Sequence, residues 1–134
     1  MIFLDDMKDY IDSLGTKVAV YEVNMPPEPD NCLVLEEYGG LPPEQGQTST
    51  YGLQLVLRCK PEDYAEYYEK MYTINEALAE VGFEDGSMPE GLLINGHLYL
   101  RIYMQGSGII PLGEDANGRV LLYKNFYVVK GETE

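Results

Sequence analysis

Apolar residues in the first segment of the chain recur at intervals of three and four positions. Leu4, Met7 and Ile11 share one helical face with Leu14, while acidic residues fill the opposite face. An apolar stripe at this spacing predicts an amphipathic helix. Gly15 follows the stripe and suits the left-handed residue that commonly ends a helix.

Alternating apolar and polar residues predict three strands in the next part of the chain. These strands span residues 17–23, 32–38 and 50–60. The third shows the clearest alternation, because its leucines, which include Leu53 and Leu55, point to one face while polar residues point to the other. A half-buried strand of a sheet has this pattern.

A longer apolar stripe predicts a second helix over residues 61–81. Two more strands are predicted over residues 97–105 and 119–129. The pair Asn117-Gly118, just before the last strand, is a strong tight-turn signal. The helical stripe consists of Tyr64, Tyr67, Tyr68, Met71, Ile74, Leu78 and Val81.

The order of these elements is α-β-β-β-α-β-β. Hairpins around one helical crossover are typical of an α+β fold, so we expect a mainly antiparallel five-stranded sheet with two helices on one face. The whole chain, residues 1–134, is expected to form a single domain. Residues 39–49 and 106–118 are expected to be flexible loops, and residues 130–134 a frayed tail.

If both helices cover one face of the sheet, the other face is free to bind a partner. Alternation predicts that Tyr99, Arg101 and Tyr103 share that uncovered face, and Tyr and Arg are enriched in protein interfaces. The two long connections add a second set of candidates for contact between subunits, namely Leu41, Ile109, Ile110 and Leu112. The alternative for the apolar residues of the second connection is that they fold back onto their own sheet.

The charge balance excludes several classes of partner. Lys and Arg total 9 and Asp and Glu total 23, which gives a net charge of −14. Stable binding to nucleic-acid phosphates or to an anionic membrane needs an excess of cations, which this chain lacks. The acidic first residues do not form a signal peptide, no apolar run is long enough to span a bilayer, and two cysteines indicate a reducing, intracellular compartment.

The residue types that carry catalysis do not form a known constellation in this chain. His97 is the one histidine and alternates with tyrosines on a strand, which favours a structural role. Cys32 and Cys59 are typical of reduced core cysteines. A calcium loop that begins at Gly113 would place Gly113 and Lys124 at the two positions where calcium needs carboxylates, so residues 113–118 are better explained as a hairpin turn. We therefore expect no catalytic, cofactor-binding or metal-binding residue and no enzymatic activity.

Four stretches together resemble a known family. They are Met25-Pro26-Pro27-Glu28-Pro29-Asp30-Asn31, Glu37-Tyr38-Gly39-Gly40, Leu112-Gly113-Glu114-Asp115-Ala116-Asn117-Gly118-Arg119 and the closing Asn125-Phe126. In this order and spacing, and at this chain length, they look like the minor capsid or tail-terminator proteins of long-tailed phages of Gram-positive hosts. The resemblance spans most of the chain.

This resemblance implies a small α+β virion protein that caps the tail tube as a ring, usually of six subunits, and joins it to the head. The implied partners are further copies of the chain, the tail tube protein and a head-completion protein. The implied locations are the host cytoplasm during assembly and then the head–tail junction of the virion. The family brings no catalytic residues. Its motifs imply structural roles for a set of turn residues, namely Gly39, Gly40, Asp115, Gly118, Arg119 and Asn125.

The same acidity permits a second hypothesis. An acidic protein can imitate DNA and occupy a nucleic-acid-binding protein, if spaced carboxylates cover one surface. In this chain the carboxylates are spread over helix faces, loops and the tail. A structural assembly protein is therefore the leading hypothesis, a DNA mimic the alternative, and an enzyme the last.

Overall fold

The structure is a computed structural model that describes residues 2–44, 48–106 and 108–131. Two helices lie where the apolar stripes predict them, and a short 3-10 turn, Pro61–Asp63, precedes the second one. The helices are α1 (Ile2–Ser13) and α2 (Tyr64–Ala79). The strands are β1 (Val20–Glu22), β2 (Cys32–Glu44), β3 (Thr48–Cys59), β4 (Leu92–Ile94), β5 (His97–Met104), β6 (Ile110–Glu114) and β7 (Val120–Gly131).

The strands form a seven-stranded sheet in the order β1-β2-β3-β7-β5-β4. The short strand β6 lies off this path and pairs with the first part of β7, while β5 pairs with the second part. All pairings are antiparallel except that between β1 and β2, which is parallel. The sheet is therefore mixed.

The predicted fold class is wrong in strand number and element order, and the mostly antiparallel sheet also contains a parallel pair of strands. The observed order is α-β-β-β-α-β-β-β-β, because β4 and β6 were predicted as connections. Strand β4 has only three residues, too few for an alternation signal, and reaches β5 through a turn at Asn95-Gly96. The parallel pair arises because the proline-rich segment after β1 returns the chain to the same end of the sheet before β2 begins.

Both helices pack on the same face of the sheet. The core unites apolar side chains of α1, β1, β2 and β3 with Met71, Ile74 and Leu78 of α2. Leu53, Leu55 and Leu57 of β3 are at most 1% exposed and belong to this same core, as their alternation predicts. Among the described residues, these side chains thus form a core between the helices and the sheet.

The first predicted loop is largely strand. Strand β2 continues to Glu44 and β3 already begins at Thr48, while residues 45–47 of the predicted loop lie outside the described residues. Gly39 and Gly40 do not form a turn, because they lie in β2 at an irregularity of register between Tyr38 and Leu41. Glycine commonly marks such bulges, where an extra residue must be accommodated in the ladder.

The second predicted loop contains strand β6, which forms a hairpin with β7. Gly118 lies in the connecting turn with a φ of 77°, a conformation that favours glycine, as the Asn117-Gly118 signal predicts. Strand β7 extends to Gly131, so the last strand covers part of the predicted tail. Ser107 and residues 132–134 lie outside the described part of the chain.

Candidate functional site

One face of the sheet is free of helices in the part of the chain that the structure describes. We define this open face by side chains that alternate with the core residues of β3, β7 and β5. They are half-buried except Arg101, which is exposed. Its members are Gln54, Val56, Arg101, Tyr103, Tyr123, Asn125 and Tyr127, together with Tyr38 at the end that β2 contributes.

A row of aromatic residues crosses four strands of the open face. Tyr38 pairs with Gly52, Gly52 pairs with Tyr127, and Tyr127 pairs with Tyr103. The rings of Tyr103 and Tyr127 have centroids 5.5 Å apart, and the guanidinium carbon of Arg101 lies 5.2 Å from the centre of the Tyr103 ring. These distances are typical of tilted aromatic pairs and of cation–π contacts.

Gly52 has a clear role in this row. A Cβ atom at this position would lie 2.8 Å from the ring of Tyr38, so the ring covers the glycine. Gln105 also donates a hydrogen bond from Nε2 to the Tyr38 hydroxyl. Burial is the main cause that raises the pKa of Tyr38, followed by the nearby Tyr127, while the bond from Gln105 lowers it. The packing on Gly52 and the bond from Gln105 therefore fix the position of the Tyr38 phenol.

A polar row lies next to the tyrosine row. Gln54 pairs with Asn125 across β3 and β7, and Glu36 of β2 pairs with Gln54. The side-chain oxygen of Asn125 is buried and has no hydrogen-bond partner among the described residues. A buried acceptor without a donor costs free energy, because the loss of its bonds to water is not compensated. Asn125 lies within β7, inside the strand predicted over residues 119–129.

Tyr99 does not lie on the open face, contrary to the prediction from alternation. The register between β5 and β7 shifts between Tyr99 and Arg101, so one extra residue in β5 turns the side chains before it to the opposite side. Tyr99 is 0% exposed and lies in the core, whereas Arg101 and Tyr103 lie on the open face. The extra residue, Leu100, is 37% exposed.

The hydroxyl of Tyr99 donates a 2.5 Å hydrogen bond to the buried carboxylate of Asp6 in α1. Asn95 donates to the same carboxylate at 2.9 Å, and Nδ1 of His97 lies 2.8 Å from it. Burial first, and then the bond to Asp6, raises the pKa of Tyr99. The one histidine therefore takes part in a polar link between α1 and the β4–β5 hairpin, which supports its structural role.

Strand β6 provides a second exposed surface. It pairs only with β7 among the described residues, so its other edge is open, and all its residues are exposed. Ile110 and Leu112 are 40% and 53% exposed, whereas Ile109 packs against the core. Ile109 therefore folds back onto its own sheet, whereas Ile110 and Leu112 stay exposed.

The turn between β6 and β7 is tied to the proline-rich segment that precedes β2. Oδ1 of Asp115 accepts the backbone N–H of Asn117 and of Arg119, each at 2.9 Å, and Nε of Arg119 donates to Oδ2 at 2.8 Å. These bonds, led by that from the Arg119 backbone, lower the pKa of Asp115. Arg119 also donates to the carbonyl of Pro27 and to the side chain of Asp30. Its side chain therefore links the turn to the proline-rich segment.

Leu41 pairs with Thr50 through its backbone, and its side chain lies outside the described part of the structure. Cys32 and Cys59 are buried free thiols, and burial raises the pKa of both. The described residues contain no cluster of His, Cys, Asp or Glu with the geometry of a metal site. Within the same residues, no helix has the length and apolar character needed to cross a membrane.

The chain matches no known protein family and no curated protein in sequence. In fold it is similar to a chain of a solved structure described as the virion of a native gene transfer agent particle. The alignment covers 91% of this chain and 84% of the other, with a TM-score of 0.59 and 11% sequence identity. The two chains therefore share a fold over nearly their whole length.

Proposed function

We propose that the protein is a structural component of a phage-like virion and that it acts as a tail terminator. In this role, copies of the chain form a ring on the tail tube and join it to the head-completion protein at the head–tail junction. The observation that carries the proposal is the fold shared with a virion chain over 91% of this sequence. The more specific role of tail terminator is supported by the sequence motifs that resemble those of tail-terminator proteins. The proposed role is structural and includes no catalytic step.

A ring requires two different contact patches on each subunit, because its contacts run head to tail. The open face and the edge of β6 are two such patches. The open face combines tyrosines with Arg101, and the β6 edge combines open backbone groups with exposed Ile110 and Leu112. Tyr and Arg are common at the energetic centres of interfaces, and open strand edges pair readily with other chains.

The acidity of the chain suits a ring around a DNA channel. With a net charge of −14, the wall of such a channel repels phosphates and lets DNA pass without adhering. The alternative of a DNA mimic gains no support from the open face, since its members are mainly tyrosines, amides and one arginine. A mimic needs a surface of carboxylates instead.

Membership of a virion can be tested on particles. A culture that carries this coding sequence is induced, particles are banded by density, and their proteins are quantified by mass spectrometry. We expect the chain in a small, fixed number of copies per particle. Absence from intact tailed particles contradicts the virion role whatever the state of the isolated protein.

Ring formation can be tested on the purified protein. Light scattering over a wide concentration range, followed by negative-stain microscopy, is expected to show closed rings at high concentration. Tyr127→Glu is expected to abolish them, because it places a charge in the tyrosine row. Tyr64→Glu is the matched control, since Tyr64 is an exposed tyrosine of α2. A monomer at every concentration, or equal loss in the control, contradicts the proposed interface.

A further inference from the structure

Arg101 is an exposed cation on the open face, and no carboxylate of the described residues forms an ion pair with it. Its guanidinium carbon lies 5.2 Å from the centre of the Tyr103 ring. The nearby polar row includes Glu36, but this residue belongs to β2, which is three strands away from β5. The part of the open face around Arg101 is therefore positive, although the whole chain has a net charge of −14.

Strand β6 carries the complementary groups on an exposed segment. Ile110 and Leu112 are 40% and 53% exposed, and Glu114 at the end of the strand is exposed as well. The side chain of Glu114 forms no ion pair within the part of the chain that the structure describes. Two apolar side chains and a carboxylate thus lie on one short strand that its own subunit does not cover.

Charge decides which surfaces of two copies can meet. Two chains that are each strongly acidic repel one another, so a contact between them needs surfaces of opposite local charge. The open face with Arg101 and the strand β6 with Glu114 form such a pair. A contact of either surface with the same surface of another copy would oppose like charges instead. The charges therefore favour a head-to-tail contact between unlike surfaces, which is the kind that a ring requires.

The two surfaces also agree in size. The tyrosine row crosses β2, β3, β7 and β5, and three steps between neighbouring strands span about 14 Å. The five residues of β6 span about 13 Å from Ile110 to Glu114 at the usual rise of a strand. A β6 segment that lies across the row can therefore contact the tyrosine rings along its length and reach Arg101 on β5 with its acidic end.

We propose that β6 of one copy binds the tyrosine row and Arg101 of the next copy. In this contact Ile110 and Leu112 pack on the tyrosine rings, and the carboxylate of Glu114 accepts hydrogen bonds from the guanidinium of Arg101. The inference rests on the ring proposed above and assigns its two contact patches to each other. Strand β6 lies in the same sheet as the row, so it cannot lie across the row of its own subunit.

Charge reversal tests the ion pair in the purified full chain. Arg101→Glu and Glu114→Arg are each expected to weaken association at least about tenfold, because like charges then meet in the contact. The double variant Arg101→Glu/Glu114→Arg has opposite charges again and is expected to form rings. Sedimentation over a concentration range measures association, and negative-stain microscopy identifies the rings. Glu90→Arg, at an exposed acid of the connection between α2 and β4, is the control for net charge and is expected to keep the rings.

The direction of the contact can be tested by mixing two variants that each lose one surface. Arg101→Glu disrupts the open face and keeps β6, whereas Leu112→Asp disrupts β6 and keeps the open face. Both residues are exposed, so both variants are expected to fold, which circular dichroism checks. Each variant alone is expected to stay monomeric, while the mixture forms dimers with one copy of each variant and nothing larger. Leu93→Asp, at a leucine of β4 that is 69% exposed, is the control and is expected to form rings.

Several results would overturn the assignment of β6 to the open face. They are rings formed by Leu112→Asp, dimers formed by either variant alone, a double charge variant that stays monomeric, and equal loss of rings in the two controls. If the wild type forms rings and any of these results is found, the ring remains and only this contact is wrong. A wild type that is monomeric at every concentration contradicts the ring and this contact together.

Discussion

Strand β7 presents two unlike faces to its surroundings. Leu122, Phe126 and Val128 on one face are at most 1% exposed, whereas Tyr123 and Tyr127 on the other are half-buried. The backbone pairing is shared by both faces, so the difference lies in what packs against each. Helices bury the first face, and the second keeps aromatic and amide groups that neither helix covers. The covered face therefore stabilises the fold, while the open face carries one of the contact patches that we propose for a ring.

The substitution Phe126→Ala on the covered face is expected to have the largest effect on stability. Phe126 is 0% exposed, and its removal is expected to lower the free energy of unfolding by about 3–5 kcal/mol, because it leaves a cavity under the helices. Urea unfolding followed by circular dichroism measures this loss. A loss below about 1 kcal/mol would mean that the helices do not bury the side chain of Phe126.

Leu55→Ala tests the same face on the neighbouring strand β3. The leucine is 0% exposed, so we expect a loss of about 2–5 kcal/mol in the same unfolding experiment. The substitution Val56→Ala, at the next residue on the open face, is the control and is expected to cost less. Equal costs at the two positions would contradict the distinction between the faces.

Tyr99→Phe tests the polar link beneath α1. The substitution removes the hydroxyl that donates to the buried carboxylate of Asp6, and a hydrogen bond to a charged group contributes about 1.5–3 kcal/mol. Tyr103→Phe removes the same hydroxyl from the open face, where we expect a change below about 0.5 kcal/mol. If both variants unfold at the same urea concentration, Tyr99 is not a buried partner of Asp6.

The tyrosine row is expected to contribute less to stability than the core does. A double-mutant cycle with Tyr103→Ala and Tyr127→Ala is expected to give a coupling of about 0.2–1 kcal/mol, the range for cross-strand aromatic pairs. No coupling would show that the two rings do not pack on each other in solution. A coupling well above this range would make the row part of the core.

The smallest expected effect concerns Lys124, which lies on the covered face. Burial lowers the pKa of Lys124 below 10.5, so the unfolded chain binds more protons than the native chain at pH values between the two pKa values. The stability of the wild type, relative to Lys124→Met, is therefore expected to rise as the pH increases toward 10.5. Urea unfolding of both proteins at neutral and alkaline pH measures the change, and a fall in the relative stability would contradict it.

Local patterns in the sequence determined much of the covered side of this protein. The stripe of α2, the alternation of Leu53, Leu55 and Leu57, and the Asn117-Gly118 turn each depend on residues close together in the chain. They predict the elements correctly because helix periodicity, strand periodicity and a left-handed turn are local properties. The resemblance carried by short motifs also came from sequence, while the fold shared with a virion chain came from structure.

Tertiary structure decided the features that depend on distant partners. Strand β6 forms because β7 offers free backbone groups beside it, and the bulge in β5 places Tyr99 in the core although alternation puts it with Arg101. Lys124 is buried because α2 and the β5–β6 connection cover it, and the tyrosine row exists because four strands align in register. These outcomes depend on pairing and packing between segments far apart in the chain, which no local pattern specifies.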